Sequence, residues 1–231
     1  MTEVTVLVCT KNILQSKTLQ CIAEAKSNTD IPFDLVVLET KEFSHPKDIN
    51  KVLKVLQTKY FITLDDDVFL EDQWLEYLIE VIKDPSIGAV QVNLRDSEGR
   101  PLIWKGEGNI FSYPPKEVVD IGYACTAASI YKKSVIEEVG LMDENFKKWS
   151  FDTDYSWRIK EKGYRVVVSP KSKGIHLVSS TISKDRKNPI YEIKDRIYLI
   201  KKWFLTNRFR EEYSDNNPNW INYWRNQVER S

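Results

Sequence analysis

The 231-residue chain has 34 basic and 34 acidic residues, so it carries no net charge. It therefore lacks the charge excess that draws proteins to nucleic acid or anionic membranes. No apolar run reaches the ~20 residues that a membrane helix needs, and the length suits one large α/β domain or two closely joined halves. Three widely spaced cysteines in apolar surroundings favour reduced thiols in a cytoplasmic compartment.

Polar residues follow two predicted strands near the amino terminus. Val4–Cys9 is an apolar run without a preceding basic region, which predicts a central strand and not a signal peptide. Leu35–Leu38 predicts a second strand. The polar residues that follow the two strands are Thr10, Lys11, Asn12 and Glu39. Because ligands bind at the carboxyl ends of strands in open α/β sheets, these residues are candidates for one crevice. For Thr10 and Glu39, an ordinary cap or turn is the alternative interpretation.

The most informative pattern is a buried strand, Tyr60–Leu64, that runs directly into three aspartates. Side chains alternate along an extended chain, so Asp65 and Asp67 should point to one side and Asp66 to the other. Two carboxylates at one strand end repel each other. Mg²⁺ and Mn²⁺ prefer oxygen ligands and share them with substrate phosphates, so either ion would relieve this repulsion. Apolar flanks argue against a solvated turn, so the sequence predicts a metal or phosphate site here.

A second informative stretch runs from Trp149 to Arg158, where a loop enters a predicted helix. Asp152 and Asp154 lie at this entry, where either could cap the helix by accepting backbone N–H bonds. Aromatic residues surround both. An apolar environment raises the pKa of a carboxyl group and makes it a better general base, so one of the two acids is a candidate catalytic base.

Four blocks occur in an order that resembles the family 2 glycosyltransferases with the GT-A fold, over about residues 3–205. They are the strand ending in Thr10–Lys–Asn, the Asp65–Asp67 strand end, Glu138–Phe146 (EVGLMDENF) and Phe151–Arg158 (FDTDYSWR). The resemblance implies a single α/β domain with a mixed, mostly parallel central sheet flanked by helices. About residues 1–115 would bind the nucleotide sugar, about 116–210 would form the acceptor and catalytic half, and 211–231 would be a C-terminal tail.

The resemblance also implies a donor site. Asp65 and Asp67 match the family's Asp-x-Asp motif, which binds the divalent metal, Mn²⁺ or Mg²⁺, and the diphosphate of the nucleotide sugar. His176 falls where many members carry a histidine near the metal, although a lone histidine after a strand can equally be a structural hydrogen bonder. The nucleotide-sugar-binding residues implied in this way are Thr10, Lys11, Asn12, Glu39, Asp65 and Asp66.

Asp152 matches the general base of the inverting members, with Asp154 as the alternative base because Phe151 replaces the glutamate that usually precedes it. The implied activity is metal-dependent, inverting transfer of a sugar from a nucleotide-diphosphate sugar to an acceptor hydroxyl on a glycan, lipid-linked sugar, protein or modified nucleic acid. A degenerate transferase that acts as a binding module is one alternative, for which Phe151 is the main support. A sugar nucleotidyltransferase is the other, and the lack of glycine in Thr10–Ser16 argues against it.

The C-terminal region is basic and aromatic. Pro189–Asn207 predicts an amphipathic helix, and Trp220 and Trp224 follow at helical spacing. A helix packed on the sheet with a solvated basic face is the simplest interpretation. Peripheral membrane contact or a homo-oligomer through this helix and the tail are the alternatives, within a cytoplasmic location.

Overall fold

The computed structural model describes residues 2–40, 45–106, 109–177 and 190–213. The strands, in chain order, are β1 (Val4–Thr10), β2 (Asp34–Glu39), β3 (Tyr60–Asp65), β4 (Val68–Leu70), β5 (Ile87–Arg95), β6 (Trp104–Gly106), β7 (Asn109–Ile110), β8 (Val119–Asp120), β9 (Ala128–Lys132) and β10 (Arg165–His176). The helices are α1 (Ser16–Ser27), α2 (His45–Leu53), α3 (Trp74–Ile82), α4 (Lys133–Val139), α5 (Phe151–Glu161) and α6 (Ile190–Trp203), followed by a 3₁₀ turn at Glu211–Tyr213.

The central sheet has the strand order β2-β1-β3-β9-β5-β10-β4, and β8 also pairs with β10. Strands β1, β2, β3, β5 and β10 run in one direction, whereas β4, β8 and β9 run the opposite way. The prediction of a mixed, mostly parallel sheet flanked by helices is therefore confirmed. Strand β1 is buried along its whole length, as expected of a parallel strand covered on both faces.

Helices cover both faces of this sheet. Helices α1 and α3 pack on one face in a cluster that includes the fully buried Trp74, whose Nε1 donates a hydrogen bond to the carbonyl oxygen of Ala25 at 3.0 Å. Helices α2, α4, α5 and α6 pack on the other face. Helix α6 buries Ile200 and Trp203 there but leaves Ile193 exposed, so its apolar face is narrower than the sequence period indicates.

The structure differs from the sequence expectation after the aspartates. The sequence predicts one helix from Glu71 to Lys83, but α3 begins only at Trp74, and Val68–Leu70 forms the edge strand β4. Strand β4 pairs antiparallel with the end of β10, with His176 opposite Val68. Such a pairing joins segments far apart in the chain, and local periodicity does not reveal it. It places the end of β10 beside the aspartates.

The C-terminal helix is confirmed over Ile190–Trp203, but the predicted Pro189–Asn207 extends too far, because residues 204–207 form turns and Asn207 has a positive φ of 54°. The predicted tail helix with Trp220 and Trp224 lies outside the described residues. Within the described ranges, no helix combines the length and apolar composition of a membrane span.

Candidate active site

Asp66 points away from the side that Asp65 and Asp67 share, as predicted, although Asp66 and Asp67 lie in a turn after β3 and not in the extended strand. Asp66 turns toward β1 and α1: its Oδ2 accepts hydrogen bonds from the hydroxyls of Thr10 at 2.5 Å and Thr18 at 3.2 Å. The ammonium group of Lys17 lies 3.3 Å from Oδ1 of Asp66 and 3.8 Å from Oδ2 of Asp67. Asp66 therefore joins the end of β3 to the amino-terminal strand and helix.

Asp65 and Asp67 turn toward His176. One ligand atom of each of these three residues lies within 4.8 Å of the others. Nε2 of His176 is 3.1 Å from Oδ1 of Asp67 and 3.9 Å from Oδ2 of Asp65. Two carboxylates and an imidazole suit Mn²⁺ well, and Mg²⁺ through the oxygens, so the group could hold a divalent ion that shares its remaining positions with phosphate oxygens.

Burial makes the negative charge of this group unfavourable. Burial, together with the neighbouring carboxylates Asp67 and Asp66, raises the pKa of Asp65 to about 6 despite the opposing effect of His176. Burial also lowers the pKa of His176, but its hydrogen bond to Asp67 and the charges of both aspartates outweigh burial, so the net change is upward. The cluster therefore favours the binding of a positive charge.

The ends of β1 and β2 lie side by side, with Thr10 opposite Glu39. Oε2 of Glu39 accepts a hydrogen bond from the Ile13 backbone N–H at 3.0 Å, and Oδ1 of Asn12 accepts one from the Leu14 N–H at 3.0 Å. Lys11 and Asn12 are exposed. The structure thus brings these four residues together at the carboxyl edge of the sheet. None of them is among the described residues that line the cavity beside the aspartates.

That cavity, of about 420 Å³, opens at the carboxyl edge and joins the aspartates to the start of α5. Asp65, Asp66, Asp67 and His176 form one side of it. The other described lining residues are Cys9, His45, Leu94, Leu102, Trp104, Tyr123, Cys125, Thr126, Lys148, Trp149, Ser150, Phe151, Asp152, Thr153 and Arg196. The predicted metal group and the predicted base therefore share one cavity.

The two candidate bases lie in different environments. Asp152 lines the cavity from the first turn of α5, where its Oδ1 accepts a hydrogen bond from the Thr153 N–H at 2.9 Å. Asp154 is fully buried and is not among the described cavity-lining residues. Its Oδ1 accepts a hydrogen bond from Nε1 of Trp203 and forms an ion pair with Nζ of Lys202, both at 2.8 Å. This geometry favours Asp152 over Asp154 as the residue that meets an acceptor.

Several cavity residues had no clear signal in the sequence. His45 stacks on Phe151, with ring centroids 5.4 Å apart and planes 16° apart. It is the first residue of α2, whereas the sequence predicts a helix only over Ile49–Gln57. Trp104, which the sequence favours as a core residue with a substrate surface as the alternative, stacks on Tyr123 at 5.7 Å in the cavity wall. Only contacts between distant segments bring these rings to the site.

Residues 15–140, more than half of the chain, match the family model described as glycosyl transferase family 2. The chain belongs to this family. No curated protein sequence matches this family 2 glycosyltransferase.

Solved structures resemble this family 2 chain at low sequence identity. TarS of S. aureus superposes with a TM-score of 0.64 at 16% identity, over 92% of this chain and 41% of the TarS chain. Mannosyltransferase PcManGT of Pyrobaculum calidifontis, solved with GDP-Man and Mn²⁺, gives 0.60 at 13% identity, over 84% of this chain and 62% of its own. GalNAc-T7, solved with UDP, GalNAc and Mn²⁺, superposes with a TM-score of 0.60 at 13% identity, over 77% of this chain and 44% of the GalNAc-T7 chain.

These likenesses confirm the predicted GT-A fold. The chain spans only 41% to 62% of the length of the solved structures.

Proposed function

We propose that this chain catalyses metal-dependent, inverting transfer of a sugar from a nucleotide-diphosphate sugar to an acceptor hydroxyl. One observation carries the proposal: the Asp65, Asp67 and His176 group and the carboxylate of Asp152 line the same cavity. A donor held by the first group would present its sugar toward the second. Family membership and the nucleotide-sugar and Mn²⁺ complexes of the structural neighbours support this assignment.

Asp65, Asp67 and His176 would hold the ion, because their ligand atoms converge and their buried negative charge favours a cation. When bound, Mn²⁺ or Mg²⁺ would neutralise the diphosphate and stabilise the charge of the leaving group. Asp66 would keep the strand end in place through Thr10, Thr18 and Lys17. The nucleoside would lie toward Thr10, Lys11, Asn12 and Glu39, within the half formed by about residues 1–115.

Asp152 would accept the proton of the acceptor hydroxyl as that oxygen attacks the anomeric carbon. The bond from the anomeric carbon to the diphosphate oxygen breaks on the opposite side, so the configuration inverts and no covalent intermediate forms. Transfer without a covalent intermediate needs no thiolate nucleophile, which agrees with the state of the two cysteines that line the cavity, Cys9 and Cys125. Burial raises the pKa of Cys9 to about 12, with the charge of Asp65 adding to the effect. It also raises the pKa of Cys125 well above its usual value, so both thiols stay protonated.

A degenerate transferase that only binds its ligands is the second candidate. Phe151 is 4% exposed and stacks on His45, so an apolar ring fills the position where the family usually has glutamate. Metal-dependent hydrolysis of the donor separates the two candidates, because a binding module would bind the nucleotide sugar without releasing the nucleotide.

The first experiment is a thermal-shift screen of nucleotide diphosphates and nucleotide sugars, each with Mn²⁺, Mg²⁺ or a chelator. A ligand that binds the folded state raises stability in proportion to the logarithm of its concentration over Kd. We expect a shift with one nucleotide that requires the metal. Asp67→Ala should abolish this shift, whereas Asp72→Ala, at an exposed aspartate outside the site, should keep it.

The second experiment measures transfer with the donor that the screen identifies, against acceptor glycans, lipid-linked sugars, proteins and nucleic acids. The anomeric configuration of the product, determined by NMR, tests inversion. Retention of configuration, or a donor shift that the chelator leaves unchanged, would contradict the proposed mechanism. Binding without either transfer or donor hydrolysis would favour the binding module.

A further inference from the structure

A single buried carboxylate on α6 holds the segment that leads into α5. Asp195, which is 3% exposed, accepts hydrogen bonds from three consecutive backbone N–H groups. Its Oδ2 lies 2.9 Å from the nitrogens of Lys148 and Trp149 and 3.1 Å from that of Lys147. Its Oδ1 lies 3.1 Å from the nitrogen of Lys147. Backbone N–H groups that converge on one carboxylate form charge-assisted bonds, so the segment is fixed to the helix.

The held segment is strained at its end. Ser150 has φ 59° and ψ 2°, the left-handed region that residues other than glycine rarely occupy. It lies directly before Phe151, where α5 begins. Strain of this kind persists only where the surrounding structure holds it, and it concentrates at functional sites. The three hydrogen bonds to Asp195 end one residue before the strained position, so they are placed to hold it.

A second attachment lies on the other side of Asp152. On α6, Trp203 donates a hydrogen bond to Oδ1 of Asp154 and Lys202 forms an ion pair with the same oxygen, both at 2.8 Å. Asp152 therefore lies between two positions that are both attached to α6. Lys148, Trp149 and Ser150 line the cavity together with it.

We infer that Asp195 is a positioning residue for the transfer reaction: it holds residues 147–150 in the strained conformation that directs Asp152 into the cavity. The inference rests on the proposed function, in which Asp152 is the base. Asp195 itself touches neither donor nor acceptor in this scheme. We expect replacement of Asp195 to lower kcat and to leave donor binding unchanged, because the proposed metal ligands lie at and just after the end of β3 and at the end of β10.

The test variant is Asp195→Asn, which keeps the size of the side chain but removes its charge and replaces one acceptor oxygen with a donor. We expect kcat to fall about tenfold or more, since small misplacements of catalytic groups have effects of this size. The KM for the donor and the metal-dependent thermal shift should stay close to those of the wild type. Backbone amides of residues 147–152 should exchange hydrogen faster, measured by mass spectrometry.

The matched control is Asp143→Asn. Asp143 is also a carboxylate bonded to α6, through Nζ of Lys202 at 2.6 Å and the hydroxyl of Tyr198 at 3.0 Å, but it lies outside the described lining of the cavity. We expect it to lower the melting temperature without changing kcat or the exchange of residues 147–152. Equal loss of kcat in both variants would overturn the positioning role, because a general weakening of α6 would then explain it.

A rescue variant separates positioning from stability. Glycine occupies the left-handed region without strain, so Ser150→Gly should restore part of kcat when added to Asp195→Asn. If Asp195→Asn does not fold, Asp195→Glu keeps the charge but cannot place its oxygens on all three N–H groups, and the same loss of kcat is expected.

Three results would overturn the inference: wild-type kcat in Asp195→Asn, a loss of kcat without faster exchange, or a double variant no better than Asp195→Asn. A wild-type protein that transfers no sugar would instead overturn the proposed function, and this inference with it.

Discussion

Nε2 of His176 lies 3.1 Å from Oδ1 of Asp67, and this contact joins two strands that meet at the edge of the sheet. Asp67 precedes β4 and His176 ends β10, and the two strands pair antiparallel with His176 opposite Val68. The backbone N–H of Leu177 also donates to the carbonyl oxygen of Asp67 at 3.0 Å. The imidazole is thus placed by the backbone as well as by the carboxylate.

The first prediction concerns His176 as a metal ligand. Replacement with alanine should weaken the apparent affinity for Mn²⁺ about tenfold or more in the presence of the nucleotide diphosphate, because one nitrogen ligand is lost. Titration of Mn²⁺ with the thermal shift as readout measures this affinity. His45→Gln is the matched control, since His45 lines the same cavity outside the ligand group. Unchanged Mn²⁺ affinity in His176→Ala would assign the histidine a structural role.

The second prediction separates the two acids of α5. Asp152→Asn should keep donor binding and lower kcat at least about 10²-fold, the usual contribution of a general base. Asp154→Asn should instead lower the free energy of unfolding by about 3 kcal/mol, because Lys202 would lose part of its buried charge pairing. Steady-state kinetics and urea unfolding of both variants measure these effects. If only Asp154→Asn lost transfer at full stability, the base would be Asp154.

The third prediction concerns the hydrogen bonds of Asp66. Asp66→Ala removes the carboxylate acceptor of the buried Thr10 and Thr18 hydroxyls, so the free energy of unfolding should fall by about 1–3 kcal/mol. Urea unfolding measures the change. Asp30→Ala, at an exposed aspartate, should change stability by less than about 0.5 kcal/mol. Equal stability of the two variants would show that these hydrogen bonds contribute nothing to folding.

The fourth prediction is a pH dependence that originates at His45. Burial, helped by the positive charge of Lys148, lowers its pKa from 6.5 to about 3. Below pH 6.5 the unfolded chain takes up a proton at this residue, while the folded protein does not until about pH 3. Stability should therefore fall as the pH falls through this window.

His45→Gln removes this contribution. Urea unfolding at pH 7.5 and pH 4.5 should show a smaller acid-induced loss of stability in His45→Gln than in the wild type. Identical losses would mean that His45 takes up its proton equally well in the folded protein.

Much of the donor side of the site follows from local sequence. The apolar run before Asp65 predicts β3, and Asp66 is separated from its two neighbours as expected, although a turn at Asp66 and Asp67 and not strand alternation produces this separation. The polar residues after β1 and β2 meet because parallel strands end at the same edge of the sheet. The position of β3 and the meeting of these polar residues follow from the hydrophobic pattern of the strands and from the parallel direction of β1 and β2, which the sequence pattern indicates.

The other side of the cavity depends on contacts between distant segments. His45 reaches Phe151 only because α2 and α5 pack on the same face of the sheet. The role of Asp195 has no local signal either, since an acid in a helix usually faces solvent and its partners here are backbone groups of another segment. Tertiary packing decides both, so periodicity and propensity could not predict them.

The pairing of β4 with β10 has a consequence for how the protein reaches its active form. Strand β10 is also held by its pairing with β5, so a slip of one residue would turn the side chains of β4, including the buried Val68 and Leu70, to the opposite face and shift Asp67 relative to His176. Three residue pairs and two flanking backbone hydrogen bonds, from Leu177 to Asp67 and from Glu71 to Lys173, fix this register at the outermost strand of the main strand order. In the proposed site, ion binding would therefore require the correct register at this edge of the sheet, and a chain misaligned there would lack the converging ligand atoms of Asp65, Asp67 and His176.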